Sequence, residues 1–114
     1  MMNMNEIREF LGNDEEFIAR LMDKFVQESA LDIEKLRGAS GEGNWEMTRA
    51  VAHKMLSSTR IFGIDELNST LEEIETIVNN RLGTGRIPAL VEKAHANWKK
   101  AIAEVKEMRS RIKA

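Results

Sequence analysis

The chain has 114 residues, 42% of them apolar and 32% charged, with one proline, no cysteine and a net charge of −2 at pH 7. That length suits one domain burying roughly two thirds of its unfolded surface, and the apolar content argues against disorder. Lack of cysteine excludes a disulfide framework and a thiolate nucleophile, the balanced charge argues against a nucleic-acid partner, and no apolar run is long enough to span a bilayer. Met1 to Gly12 also lacks a signal-peptide core, so a cytoplasmic setting without membrane contact is expected.

Asn5 to Leu11 forms a short amphipathic piece, with Ile7, Phe10 and Leu11 on one side and Glu6, Arg8 and Glu9 on the other. Gly12-Asn13 breaks it. Asn13 is placed to cap the next helix, whose first turn holds Asp14, Glu15 and Glu16 where the macrodipole favours negative charge. Phe17, Ile18, Leu21, Met22, Phe25, Ile33 and Leu36 then recur at helical spacing. Gly38 to Gly43 is glycine-rich and lacks the lysine of a phosphate-binding loop, so it is expected to be a flexible turn.

A third helix follows Asn44, its expected cap, and stops at Gly63, where a left-handed residue is wanted. Asp65 is expected to cap a fourth, whose apolar stripe is Leu67, Leu71, Ile74 and Val78. Arg81 to Ile87 is a loop, and Pro88 fits the first turn of the last helix. There Val91, Ala94, Trp98, Ala101, Val105, Met108 and Ile112 alternate by threes and fours, the seam of a bundle. The pattern predicts an all-α fold: an antiparallel four-helix bundle with a short N-terminal helix, its helices over about 5–11, 14–37, 45–62, 66–80 and 88–112. Nine acidic and five basic side chains lie before Gly38, three acidic and eight basic after Gly85. Each helix thus carries a solvated charged face.

The third helix carries the chemistry. At 100° per residue, Val51, Met55, Ser58 and Phe62 lie opposite His53, flanked by Met47, Thr48 and Thr59. Arg49, Leu56, Ser57 and Arg60 fall within about a quarter turn of the histidine, so His53 points at water between arginines. A neutral imidazole offers a lone pair, so an exposed ring nitrogen can take up a group, anionic ones included, as a covalent intermediate. Nearby cations would stabilise it: Arg60 lies on the same face, and Lys54 reaches it from about 100° away. Ala50 and Leu56 form a small apolar patch beside the ring, the dry centre of a docking surface to which Arg49 adds charge. Ser57 is small and leaves the ring open to approach.

The stretch resembles the motif of histidine phosphotransfer domains, the relay modules of multistep phosphorelays. Ala52-His53-Lys54, then Phe62-Gly63, then Leu67, Leu71 and Ile74 carry the resemblance, with Asp14-Glu15-Glu16-Phe17 and the Gly43-Asn44-Trp45 turn. The family often has Lys-Gly three and four positions after its histidine, where this chain has Leu56 and Ser57. That variant looks like the modules appended to bacterial hybrid sensor kinases. The resemblance implies a monomeric carrier that takes a phosphoryl group from a receiver-domain aspartate on His53 and passes it to another. It further implies a Mg ion held by the receiver rather than by this chain, and a setting alone or within the cytoplasmic part of a membrane-bound hybrid kinase. Leu56 in place of the family's lysine shifts the charge role to Lys54 and Arg60.

Three rival readings are weaker. A histidine-kinase helix follows its histidine with an acidic residue and a nearby proline; here Lys54 follows and no proline does, and no glycine-rich ATP site exists, so the chain is not expected to be an enzyme. Glu92 and His95 have the Glu-x-x-His spacing of di-iron bundles, but Ala50 stands where a second motif needs its glutamate, so no metal or cofactor is assigned. A helical-bundle adaptor that binds receivers without transfer is the remaining alternative, separable by substituting His53.

Overall fold

Asn3, Asp14 and Asn44 start the first three helices of the computed structural model, which describes residues 2–113. Asn3 Oδ1 accepts from the backbone N–H groups of Asn5 at 2.8 Å and Glu6 at 3.3 Å, opening α1 (Met4–Leu11). Asp14 caps α2 (Glu15–Gly41) by accepting from the Phe17 N–H at 3.1 Å, so the cap lies one residue beyond the expected Asn13. Asn44 caps α3 (Trp45–Thr59) through the Met47 N–H at 3.1 Å, as expected. In α4 (Asp65–Asn80) the N-cap is Ile64, which bonds no backbone N–H through its side chain. Asp65, expected in that role, is already helical and contributes only its charge to the first turn. A 3₁₀ turn (Thr84–Arg86) leads into α5 (Ile87–Ser110), with Pro88 in its first turn.

Gly38 to Gly43 is not the flexible connector that its composition suggested. Helix α2 continues through Gly41 because Ala39 and Ser40 are buried, and packing outweighs the weak helix propensity of glycine. The helix closes in a Schellman motif: the Asn44 N–H bonds Ala39 O at 2.9 Å and the Gly43 N–H bonds Ser40 O at 3.0 Å, with Gly43 at φ 69°. Helix α3 closes the same way, three residues short of the expected Phe62. The Ile64 N–H bonds Thr59 O at 3.1 Å and the Gly63 N–H bonds Arg60 O at 3.2 Å, with Gly63 at φ 64°. Inside α2, by contrast, Gly38 is exposed and a Cβ there would meet nothing within 4 Å. Gly38→Ala is therefore expected to stabilise the protein by about 0.5–1 kcal/mol, a rise of roughly 2–6 °C in Tm by circular dichroism. A lower Tm would show that residue 38 is not a plain helical position.

Helix α2 packs on α3 and α5, and α4 packs on the same two, so the four long helices surround one core. Ile18, Met22, Ile33 and Leu36 of α2 meet Val51, Leu67, Leu71, Ile74, Val91 and Val105, all at least nine-tenths buried. The Phe25 and Phe62 rings lie 5.2 Å apart, closing the core beside the end of α3. Trp98 is only partly buried and spends its indole N–H on Ser29 Oγ at 2.8 Å. His95 stacks on the same indole at 6.0 Å, while Glu92 bonds Arg37 at 3.3 Å. Helix α1 is tied down by buried Ile7 and by an ion pair from Arg8 to Glu15 at 2.7 Å. No strand occurs among the described residues.

Candidate functional site

His53 stands in the third turn of α3 with 68% of its side chain exposed. Its Nδ1 lies 3.1 and 3.2 Å from the two carboxylate oxygens of Glu75 on α4. An ionised carboxylate only accepts, so the proton of a neutral ring sits on Nδ1 and the lone pair on Nε2. The ring is thus clamped by one nitrogen and offers the other to solvent. A positive charge developing on the ring as Nε2 attacks would be balanced by Glu75, itself mostly buried at 18% exposure.

Glu75 was not legible in the sequence. It is 22 positions from His53, and its register against α3 depends on how the two helices pack. The one available signal was its place directly after the core residue Ile74, at the border of the apolar stripe.

The other predicted residues separate. Ala50 and Ser57 are exposed on the histidine's face and Arg49 is half-buried there. The Ser57 hydroxyl donates to Lys54 O at 2.7 Å. Leu56 corrects the sequence reading: it is fully buried and no part of a surface patch. A helix between two neighbours buries a broad arc, and Leu56, about 60° from His53 at 100° per residue, falls just inside it. Its side of α3 faces α4, the helix that both His53 and Arg60 reach.

Lys54 is engaged elsewhere. Its ammonium donates to Asp32 Oδ1 of α2 at 3.0 Å, away from the ring, which leans to α4. The Asp32 carboxylate is 7% exposed, so swinging Lys54 to a phosphoryl group would strand a buried charge. The hydrogen bond and charge of Asp32 raise the Lys54 pKa, keeping the ammonium charged past the ordinary lysine range. A raised pKa in the fold stabilises below the unfolded value, so the lysine's contribution is present at neutral pH and fades as the pH rises through its raised value. Arg60, at the C-cap of α3, is loosely held: its guanidinium is 3.9 Å from Glu72, with both side chains more than half exposed.

An all-helical bundle that presents one exposed histidine, fixed at Nδ1 and open at Nε2, defines a class of histidine carrier modules. The family model described as the Hpt domain matches residues 20–114, and the protein belongs to that family. Members of this family are phosphotransfer carriers of phosphorelays that interact with receiver domains, without a catalytic site of their own. No curated protein and no solved structure matches the chain at a significant level. Among the described residues no helix is long and apolar enough to cross a membrane.

Proposed function

We propose that the protein is a monomeric phosphorelay carrier whose acceptor is Nε2 of His53. The observation that carries this reading is the Glu75 clamp on Nδ1, which leaves Nε2 exposed on a member of the Hpt family. The lone pair of Nε2 attacks the phosphorus of a receiver's phospho-aspartate, an N–P bond forms, and the P–O bond breaks to release the aspartate carboxylate. The reverse step on a second receiver regenerates the free ring. The bundle is read as antiparallel, which the short connections between its helices favour.

Arg60 retains the role of steadying the phosphoryl charge, whereas Lys54, committed to Asp32, leaves it. Ala50 and Ser57 allow close approach of the receiver, and Arg49 lies in its path. The Mg ion of the reaction is assigned to the receiver. A bacterial cytoplasmic setting, alone or within a hybrid kinase, suits such a carrier.

The test is intact mass after incubation with a phosphorylated receiver and Mg²⁺. A gain of one phosphoryl group, lost in acid, kept in base and localised by fragmentation to the peptide bearing His53, is the expected result. Binding of receivers without any gain in mass would replace the carrier by an adaptor.

A further inference from the structure

Between α3 and α4, one helical turn from His53, lies an open groove of about 520 Å³ lined by Trp45, Glu46, Arg49, Val78, Arg81 and Thr84. It adjoins the acceptor on both walls. Arg49 is one turn before His53 on α3, and Asn79, also in the lining, is one turn after Glu75 on α4.

Two features of the arginines are unusual. Arg8, Arg37, Arg60, Arg86, Arg109 and Arg111 each hold a carboxylate. Arg20, Arg49 and Arg81 hold none among the described residues, and of these Arg49 and Arg81 share one groove. Arg81 also occupies a glycine's position. It is the left-handed residue of a Schellman motif closing α4, with its own N–H bonding Val78 O at 3.2 Å and the Leu82 N–H bonding Ile77 O at 3.4 Å. The two other closures of this kind use Gly43 and Gly63, whereas Arg81 sits at φ 54°, the one non-glycine residue with positive φ among those described. A Cβ there costs roughly 1 kcal/mol against glycine. What the strained position gains is a guanidinium at the groove.

We infer that this groove is a docking subsite for a carboxylate-bearing segment of the receiver domain that exchanges its phosphoryl group with His53. The inference rests on the carrier reading and adds its partner's chemistry and the residues that select it. Two guanidiniums against the single carboxylate of Glu46 leave a net positive groove, and guanidinium forks pair with carboxylates in bidentate fashion. Half-buried Trp45 and Val78 add apolar floor, which a peptide segment covers and a free anion does not.

The test uses any receiver that labels the wild-type protein, with the initial transfer rate followed against receiver concentration. Arg81→Gly removes the guanidinium and relieves the strained φ, so it folds at least as well as wild type; Arg49→Gln keeps a good helix former. Each is expected to raise the receiver KM about five- to ten-fold, less at high salt, with kcat held within about two-fold. Direct labelling of Arg81→Gly by phosphoramidate, a small phosphoryl donor needing no docking, should match wild type. Unchanged KM in both variants would overturn the subsite. So would a fall in kcat or in phosphoramidate labelling at constant KM, which would put the arginines at the phosphoryl group. His53→Gln in the same assay separates the two readings: persistent labelling would sink His53 as the acceptor while leaving the KM effect to be judged separately.

Discussion

Replacing Leu56 by glutamate is expected to unfold the protein. From position in the motif alone, Leu56→Glu would be chosen as a docking mutant, because the residue sits three places after the histidine. The structure puts the whole side chain in the core. Removing a buried leucine forfeits about 1.5–3 kcal/mol of burial, and a carboxylate in its place must either ionise in an apolar setting or stay protonated at further cost. A total of about 4 kcal/mol or more takes most of the roughly 5–15 kcal/mol that a domain of this size possesses. Far-ultraviolet circular dichroism should show lost cooperativity or a Tm lowered by roughly 15 °C or more. Ser57→Glu, one residue later and exposed, should melt within about 3 °C of wild type. A Leu56→Glu protein that melts like wild type would restore Leu56 to the surface and refute the packing of α3 on α4.

His53→Gln should abolish phosphoryl uptake and leave the fold intact. The ring is mostly exposed and its one polar partner is Glu75, so the structural loss is that of a single partly exposed pair, at most about 1 kcal/mol. The chemical loss is complete, since an amide nitrogen has no comparable lone pair. Phosphoramidate labelling followed by intact mass reads the first effect, and the melting curve reads the second. A companion substitution examines the clamp. Glu75→Ala frees the tautomer and withdraws the charge that balances the ring, so labelling should slow by about ten- to a hundred-fold, the loss typical when the partner that orients a metal-bound histidine is removed. Phosphorus NMR of the product should show one Nε2 species in the wild type and a mixture of ring isomers in Glu75→Ala. A single Nε2 species at an unchanged rate in Glu75→Ala would mean that the carboxylate neither fixes the tautomer nor assists attack. Loss of cooperative melting in His53→Gln would make the ring structural.

The two substitutions show why neighbouring residues of one motif have such different fates. His53 and Leu56 are only about 60° apart on α3, yet one is 68% exposed and the other fully buried. The boundary between them is drawn by α4, whose approach hides Leu56 and supplies Glu75. Lys54, on the other flank, is drawn to Asp32 of α2. The histidine therefore keeps its exposed position between two helices that have claimed the side chains beside it.

Much of this was open to reading from residue types and spacing, because the responsible forces are local. The side-chain oxygen of Asn44 caps its helix within three residues, Gly63 accepts a left-handed turn, Pro88 fits a first turn, and the three-four alternation of α5 marks its buried seam. Those features placed the helices, exposed His53 and suggested its chemistry. Where competing choices were local and nearly equal, as between Asn13 and Asp14 or at Gly38 to Gly43, the preference went to whichever residue the packed backbone could use. Tertiary structure alone decided the rest. Glu75 at Nδ1, Asp32 at Lys54, Leu56 in the core and Arg49 with Arg81 in one groove join positions between 22 and 32 residues apart or depend on how wide an arc a neighbouring helix covers. A periodicity of 3.6 shows which face of a helix is apolar, but not which partner meets its edges or at what register, and the edges are where the site is built.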